Sequence, residues 1–209
     1  MYVKNSMTAN PYVLSPEATI AEAMDLMRSK GVKRLPVVKN DSIVGIISHS
    51  QLLEVSPSPA TSLSVFEINY LLARTKIGSI MTKKVITVSP DMLLEEAALL
   101  MREHKIGGLP VVSDNKLVGI ITETDLFDAF IEIMGFRDKG SRITLDVGQD
   151  HPGVLAEVTG IIAAFDINIT HLAAFRSELI VRVNTTNITE ILLAIKDRGY
   201  KIVSVIKNE

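Results

Sequence analysis

A chain of 209 residues with 47% hydrophobic and 22% charged residues has the composition of a folded protein, long enough for one large or two modest domains with true cores. A formal net charge of -2 and an aromatic content of 5% with no Trp argue against a broad nucleic-acid surface or a base-stacking platform. The absence of Cys excludes disulfides, thiol catalysis and thiolate metal sites.

The segment Met1 to Asn10 is polar and has no apolar signal core, and the apolar run Gly153 to Phe165 is too short to span a bilayer and contains Glu157. These features predict a cytoplasmic protein without membrane association. The chain then repeats itself. Met7-Thr8 recurs as Met81-Thr82, an offset of 81 minus 7, or 74. The same offset carries Ser15-Pro16 onto Ser89-Pro90, Leu35-Pro36-Val37-Val38 onto Leu109-Pro110-Val111-Val112, and Val44-Gly45-Ile46-Ile47 onto Val118-Gly119-Ile120-Ile121, without a gap.

Each copy begins with a short extended piece, Tyr12 to Leu14 or Val85 to Val88. A helix follows, with apolar or small residues at Ile20, Ala23, Met24 and Met27, or at Leu94, Ala97, Ala98 and Met101. Thr19 with Glu22 forms a capping box for the first helix, and Gly31 a stop. Two strands come next, Leu35 to Val38 and Ile43 to Ser48, or Leu109 to Val112 and Leu117 to Thr122, joined by Asn40-Asp41 and Asp114-Asn115 turns. A closing helix is expected from Leu52 or Leu126. Between the copies, Ser56 to Ser62 reads as a loop, and Ser64-Val65-Phe66-Glu67 opens a packing helix through about Arg74 with Phe66, Tyr70 and Leu71 on one face.

After Met134, the polar, glycine-flanked run 135–141 reads as a linker. Strands over Arg142 to Val147, Asn168 to Ala174, Leu179 to Asn184 and Tyr200 to Ile206, with helices from about Gly153 to Phe165 and Ile188 to Arg198, give the order βαββαβ. That order builds a ferredoxin-like sandwich. The expected divisions are residues 1–62 and 63–134 for the two repeats, the second including the connecting helix, then the linker 135–141 and the sandwich 142–209. The fold class is α+β, two α/β repeats ahead of one βαββαβ module.

The repeat at constant register over about Met1 to Met134 resembles a tandem pair of CBS domains. Asp150, Pro152, Gly153, Leu155 and Asn168-Ile169 resemble the signature of an ACT domain. The whole arrangement is similar to the acetoin-utilisation B-type group, a label that records an operon association and defines no chemistry. The CBS resemblance implies a pseudo-symmetric, non-catalytic module whose central cleft holds adenosine-containing ligands of the AMP, ADP or ATP class as regulators, with no cofactor required. The ACT resemblance implies dimerisation and an amino-acid or other small effector, its contacts falling on Asp150, Gly153 and Asn168.

The motif Gly119-Ile120-Ile121-Thr122-Glu123-Thr124-Asp125 and its echo Gly45-Ile46-Ile47-Ser48-His49-Ser50-Gln51 each end a strand and open a helix. Unpaired N–H groups at a helix start, a hydroxyl and a carboxylate suit phosphate and paired ribose hydroxyls. Thr122 with Asp125, like Ser48 with Gln51, equally fits a capping box whose side chains are spent on the helix itself. By resemblance, the main nucleotide site is expected to join Ile86, Thr87, Val88, Gly108, Leu109 and Pro110 to Thr122 and Asp125, with Gly119 keeping the approach clear. The weaker first site falls on Lys33, Arg34, Pro36, Ser48 and Gln51, where an amide replaces the carboxylate. Lys33 and Arg34, paired with Gly107 and Gly108, are read either as phosphate contacts reaching across the cleft or as a solvated pair at a helix end.

His49, His104, His151 and His171 show no metal-ligand spacing, and no nucleophile elbow, GxxxxGK[ST] or GxGxxG run occurs. With no such foothold for catalysis, the resemblances imply a homodimeric regulatory sensor for an adenosine nucleotide that acts on another protein. No nucleic-acid partner is expected. The alternative is an interaction scaffold with vestigial nucleotide sites.

Overall fold

A computed structural model describes residues 1–56, 63–148 and 151–209. In chain order the elements are α1 (Val3–Ser6), β1 (Thr8–Ala9), α2 (Ile20–Lys30), β2 (Arg34–Lys39), β3 (Ser42–Ser48), α3 (His49–Val55), α4 (Val65–Arg74), α5 (Ile77–Ile80), α6 (Leu94–His104), β4 (Gly108–Ser113), β5 (Lys116–Thr122), α7 (Glu123–Ile133), β6 (Gly140–Asp146), α8 (Val154–Ala163), β7 (Ile169–Phe175), β8 (Glu178–Val183), α9 (Thr189–Asp197) and β9 (Lys201–Asn208). They form two compact units, Met1–Leu126 and Phe127–Glu209. Two repeats and a βαββαβ module are present, as the sequence predicts. Most of the expected loop between the repeats, residues 57–62, lies outside the described residues.

Within the first unit, β2 pairs with β3 and β4 with β5, each hairpin antiparallel and each carrying a register shift at the same relative place, between Val37 and Val38 and between Val111 and Val112. Apolar positions at helical spacing on α2 and α6 and the β-branched strand residues fill the cores. Ile20, Ala23, Met27, Leu35, Val37 and Ile47 are buried in the first repeat, and Leu94, Ala97, Met101, Leu109, Val111 and Ile121 at the matching places in the second. Thr19 and Glu22 make the predicted reciprocal cap, with Thr19 N donating to Glu22 Oε2 at 2.7 Å.

The extended pieces ahead of α2 and α6 cross between the repeats. Thr8 and Ala9 pair with Ile120 and Gly119 on β5 of the second repeat, and the chain then runs back until Leu14 lies parallel to Val37 on β2 of the first. The second copy does the converse, with Thr82 against Ile46 on β3 and Val88 against Val111 on β4. This crossing explains the glycines of the repeated motif. A Cβ on Gly119 would stand 2.5 Å from Met7 Sδ and 3.1 Å from Thr8 O, and one on Gly45 would stand 2.3 Å from Met81 Sδ. Gly119 therefore clears a path for the crossing chain, which corrects the expectation that it clears one for a ligand.

Helix α4 also departs from expectation. Phe66 is 86% exposed and Tyr70 58%, and no residue of the helix is buried. The half-buried residues Ile68 and Leu72 share a face at i, i+4, and Leu72 packs on the core of the first repeat. The closing helices start at His49 and Glu123, directly after the hydroxyl residue of the motif. They begin earlier than their first large apolar residue because the cap, and not the apolar stripe, sets the start.

In the second unit the sheet order is β7-β8-β6-β9, all antiparallel. One face, with Ile143, Leu145, Leu179, Val181 and Val183, meets Val154, Val158 and Ile162 of α8 and Ile191 and Ile195 of α9. Residues 135–141, expected as a linker, are folded. Gly135, in the left-handed region at φ +58, and Phe136 close α7 through bonds from their N–H groups to Glu132 O and Ile131 O, and Asn208 Nδ2 donates to the carbonyls of Phe136 and Asp138. Gly140 and Ser141 already belong to β6.

Candidate functional site

Among the described residues, two cavities of the first unit are images of each other under the 74-residue offset. One, of about 430 Å³, is lined by the crossing segment Thr8–Tyr12, by the turn and strand start Gly31–Arg34, and by Ile120, Thr122, Thr124 and Asp125. The other, of about 280 Å³, is lined by Thr82 and Lys84–Ile86, by Lys105–Gly108, and by Ile46, Ser48, Ser50 and Gln51. The larger falls within the range of small-molecule sites, and the smaller stands at its lower edge. Because the crossing segment of one repeat covers the motif of the other, each cavity is built from both repeats.

This architecture redistributes the residues expected from sequence. Thr122 and Asp125 face Lys33 and Arg34, while Ile86, Gly108 and Pro110 face Ser48 and Gln51. The expected grouping kept each motif with the extended piece of its own repeat, and the crossing exchanges them. Leu109 and Val88 are buried core residues, Pro36 is buried in β2, and Thr87 is exposed; none of the four lines either cavity. Sequence reasoning missed Thr8, Thr82, Lys84 and Lys105 as lining residues. The repeated Met-Thr pair was the signal for the two threonines.

Both motifs do form capping boxes. Asp125 Oδ2 accepts from Thr122 N and from Thr122 Oγ1, each at 2.7 Å, and Asp125 N donates to Thr122 Oγ1 at 3.5 Å. Gln51 Oε1 accepts from Ser48 N at 3.0 Å and Ser48 Oγ at 3.1 Å, and Gln51 Nε2 donates to Thr82 Oγ1 at 2.7 Å. The difference matters. The Gln51 amide is engaged at both ends, whereas the Asp125 cap uses one carboxylate oxygen and leaves Oδ1 outside it, on a residue that lines an open cavity. A carboxylate has acceptor capacity for both tasks.

The helix starts are less open than the sequence suggests. His49 N donates to Lys33 O at 2.9 Å and Glu123 N to Gly107 O at 3.2 Å, so the first amide of each helix is taken by the neighbouring strand entry. The third is taken by the cap hydroxyl. The second amides belong to Ser50 and Thr124, both of which line the cavities. Charge is distributed unequally. Lys84, Lys105 and Arg34 line the Gln51 cavity without a carboxylate, and Lys33 and Arg34 share the other with Asp125.

Lys105 sits at the C-terminal cap of α6 with φ +53, where its repeat mate Gly31 has φ +66. A side chain in the left-handed region costs about 1–2 kcal/mol relative to glycine's freedom there, a cost found at ligand sites. Lys105→Gly is expected to stabilise the fold by up to about 1 kcal/mol. Denaturant midpoints read the effect, and a variant destabilised by the change contradicts it.

The second unit holds a polar cavity of about 350 Å³ at the β6–α8 turn and the start of β9, lined by Asp146, His151, Glu157, Arg198, Tyr200 and Lys201 among others. Of the expected effector contacts, Asp150 lies outside the described residues. Gly153 and Asn168 are exposed, and neither lines this cavity. Gly153 has φ +103 and open space where a Cβ would stand, so backbone conformation rather than close approach requires glycine there. Tyr200 donates to Glu157 Oε2 at 2.6 Å, and this bond, with Arg198 as the lesser contributor, holds the Glu157 carboxyl below the usual carboxylate range. Its stabilisation is complete above the unfolded-state pKa and is lost as pH falls through the lowered folded value. Tyr200→Phe is expected to move that value up toward the ordinary range, as read by carboxyl-carbon NMR titration, and an unmoved titration refutes it.

Among the described residues no group of three or more His, Asp or Glu stands close enough to hold a metal ion, and no helix is long and apolar enough to cross a membrane. Family models match the CBS domain over residues 3–58 and 77–132, together more than half of the chain. The chain belongs to the CBS-domain family. A further match, to the ACT domain, covers residues 142–204, so the CBS pair is followed by an ACT module and both module types are regulatory. The CBS-domain-containing protein YhcV of Bacillus subtilis is 30% identical over 142 residues, covering 68% of this chain and 92% of its own length. An AcuB acetoin-utilisation protein from Vibrio cholerae superposes at a TM-score of 0.54 with 32% identity, over 66% of this chain and 95% of that one. CBSX2, solved in complex with AMP, superposes at 0.53 with 31% identity, over 63% and 97%.

Proposed function

We propose that this CBS–ACT chain is a non-catalytic regulatory sensor whose CBS pair takes up an adenosine nucleotide of the AMP, ADP or ATP class. The observation that carries the reading is the Asp125 carboxylate, which caps its helix with one oxygen while lining an open cavity that already holds Lys33 and Arg34. A ribose offers two donors to such a carboxylate, and the cations answer a phosphate. CBSX2 with AMP supports the ligand class. The ACT module, by its family, pairs with a second copy and receives an amino acid or other small effector. Coupling between modules then requires that each ligand favour one arrangement of the chain over another.

A second reading, an interaction scaffold with relic sites, is favoured by the completed capping boxes of both motifs. Calorimetry of the intact chain with AMP, ADP, ATP, NAD and S-adenosylmethionine separates the two. Saturable binding of an adenylate supports the sensor, and heats no larger than dilution across the panel establish the scaffold. The nucleotides are expected to be recovered unchanged after incubation, and a converted product would make the protein an enzyme.

A further inference from the structure

The two cavities match closely under the repeat offset, Ala9 and Pro110 alone lacking a lining counterpart, and they have one residue in common. Arg34 lines both. In the Asp125 cavity it holds its own place, which corresponds to Gly108 in the other; in the Gln51 cavity it is an addition the symmetry does not supply. Its side chain reaches there along two residues without side chains. Arg34 Cδ lies 3.0 Å from the point where a Cβ on Gly108 would stand, and Arg34 Nη2 lies 2.0 Å from the corresponding point on Gly107. A Cβ at Gly107 would also meet Glu123 Oε2 at 2.6 Å, so the guanidinium passes beside a carboxylate from the first residue of α7.

Resting on the nucleotide reading above, we infer that Arg34 is a single phosphate clamp shared by the two clefts, which makes phosphorylated nucleotides in them mutually antagonistic. A guanidinium presents a planar fork of donors that suits one phosphate at a time in a bidentate grip. A phosphate drawn to it from one cleft leaves the phosphate in the other with the lysines alone, Lys33 on the Asp125 side or Lys84 and Lys105 on the Gln51 side. Two bound phosphates meeting at this point also repel each other. Adenosine has no phosphate and fills either cleft without calling on Arg34. The antagonism is reciprocal, because coupling between two binding equilibria has one value whichever ligand binds first.

The test is two-site calorimetry of the intact chain with AMP and with adenosine, on wild type, Arg34→Ala and Arg34→Gln. The glutamine variant retains much of the stem along Gly107 and Gly108 and guards against a packing defect in the alanine variant. The intrinsic inequality of Asp125 and Gln51 appears with both ligands as the ratio of second to first dissociation constants. The shared clamp adds to that ratio for AMP alone, by about tenfold, corresponding to one charge-assisted contact. In both Arg34 variants the AMP ratio falls by about that tenfold, leaving above the adenosine ratio only what the unequal lysines and phosphate repulsion contribute. Equal ratios for AMP and adenosine in wild type, or an AMP excess that the variants leave undiminished, overturn the clamp while leaving nucleotide binding intact. Absence of binding by either ligand instead defeats the nucleotide reading itself.

Discussion

Asp125→Asn is expected to lower AMP affinity ten- to a hundredfold while leaving the fold in place. The substitution separates the two tasks of this residue. Asparagine can keep the reciprocal half of the capping box, since its carbonyl oxygen can accept the bonds from Thr122 N and Thr122 Oγ1 that now go to Asp125 Oδ2. The other end of the side chain changes from a charged acceptor to an NH₂ donor, which meets the donors of a ribose diol with a donor of its own. Loss of a charge-assisted bond costs about 1.5–3 kcal/mol, the tenfold-to-hundredfold range. Alanine would be a poorer probe, because it also removes the reciprocal half of the capping box. Calorimetry paired with a denaturation midpoint decides the matter. Unchanged affinity in a stably folded Asp125→Asn protein would leave the carboxylate as a cap and nothing more.

The sequence showed what periodicity and repetition can show. Apolar residues at helical spacing on α2 and α6, strand pairs flanking Asn-Asp and Asp-Asn turns, and the βαββαβ order all appear where they were expected, because these signals are local. Partnership between distant segments is not local. Nothing in Thr8 or Thr82 tells which repeat its strand will join, so the crossing of the two extended pieces, and with it the exchange of cavity walls, was invisible to a reading that kept each motif with its own repeat. The glycines held a clue, since Gly45 and Gly119 match Met81 and Met7 as contact partners, but a contact needs coordinates to be recognised. Arg182 is a further case. Alternation along β8 places it away from the helices, where an arginine would ordinarily be solvated. It is 2% exposed because the segment after α7 folds over it, with Cζ 5.9 Å from the centre of the Phe136 ring and Nη1 donating to Asp138 O at 3.4 Å. Polar composition made that segment look like a linker, whereas its backbone carbonyls have partners on the sheet.

The same segment ends at the residue whose replacement should harm the fold most. Gly140→Ala is expected to destabilise the second unit by about 3 kcal/mol or more, since two costs fall together. Gly140 opens β6, the strand paired on both sides, with φ +115. A Cβ there would stand 2.1 Å from Val183 O and 3.1 Å from the Asn184 carbonyl carbon and Cα, all backbone atoms that no rotamer change can move aside. Two glycines of the same unit serve as controls. Gly199 has φ +89 with nothing within 4 Å of a Cβ, so Gly199→Ala incurs the conformational cost alone, about 1–2 kcal/mol. Gly160 lies inside α8 with open space around it, so Gly160→Ala should stabilise by about 0.5–1 kcal/mol through helix propensity. Hydrogen exchange of the amides of Ile143 and Val181, on the adjoining strands β6 and β8, reports the stability of this unit separately from the CBS pair. Protection should fall steeply for the first variant, fall modestly for the second and rise for the third. A Gly140→Ala protein whose protection matches that of Gly199→Ala would mean that the β6 entry can shift away from Val183, and that the fold over Arg182 is not anchored there.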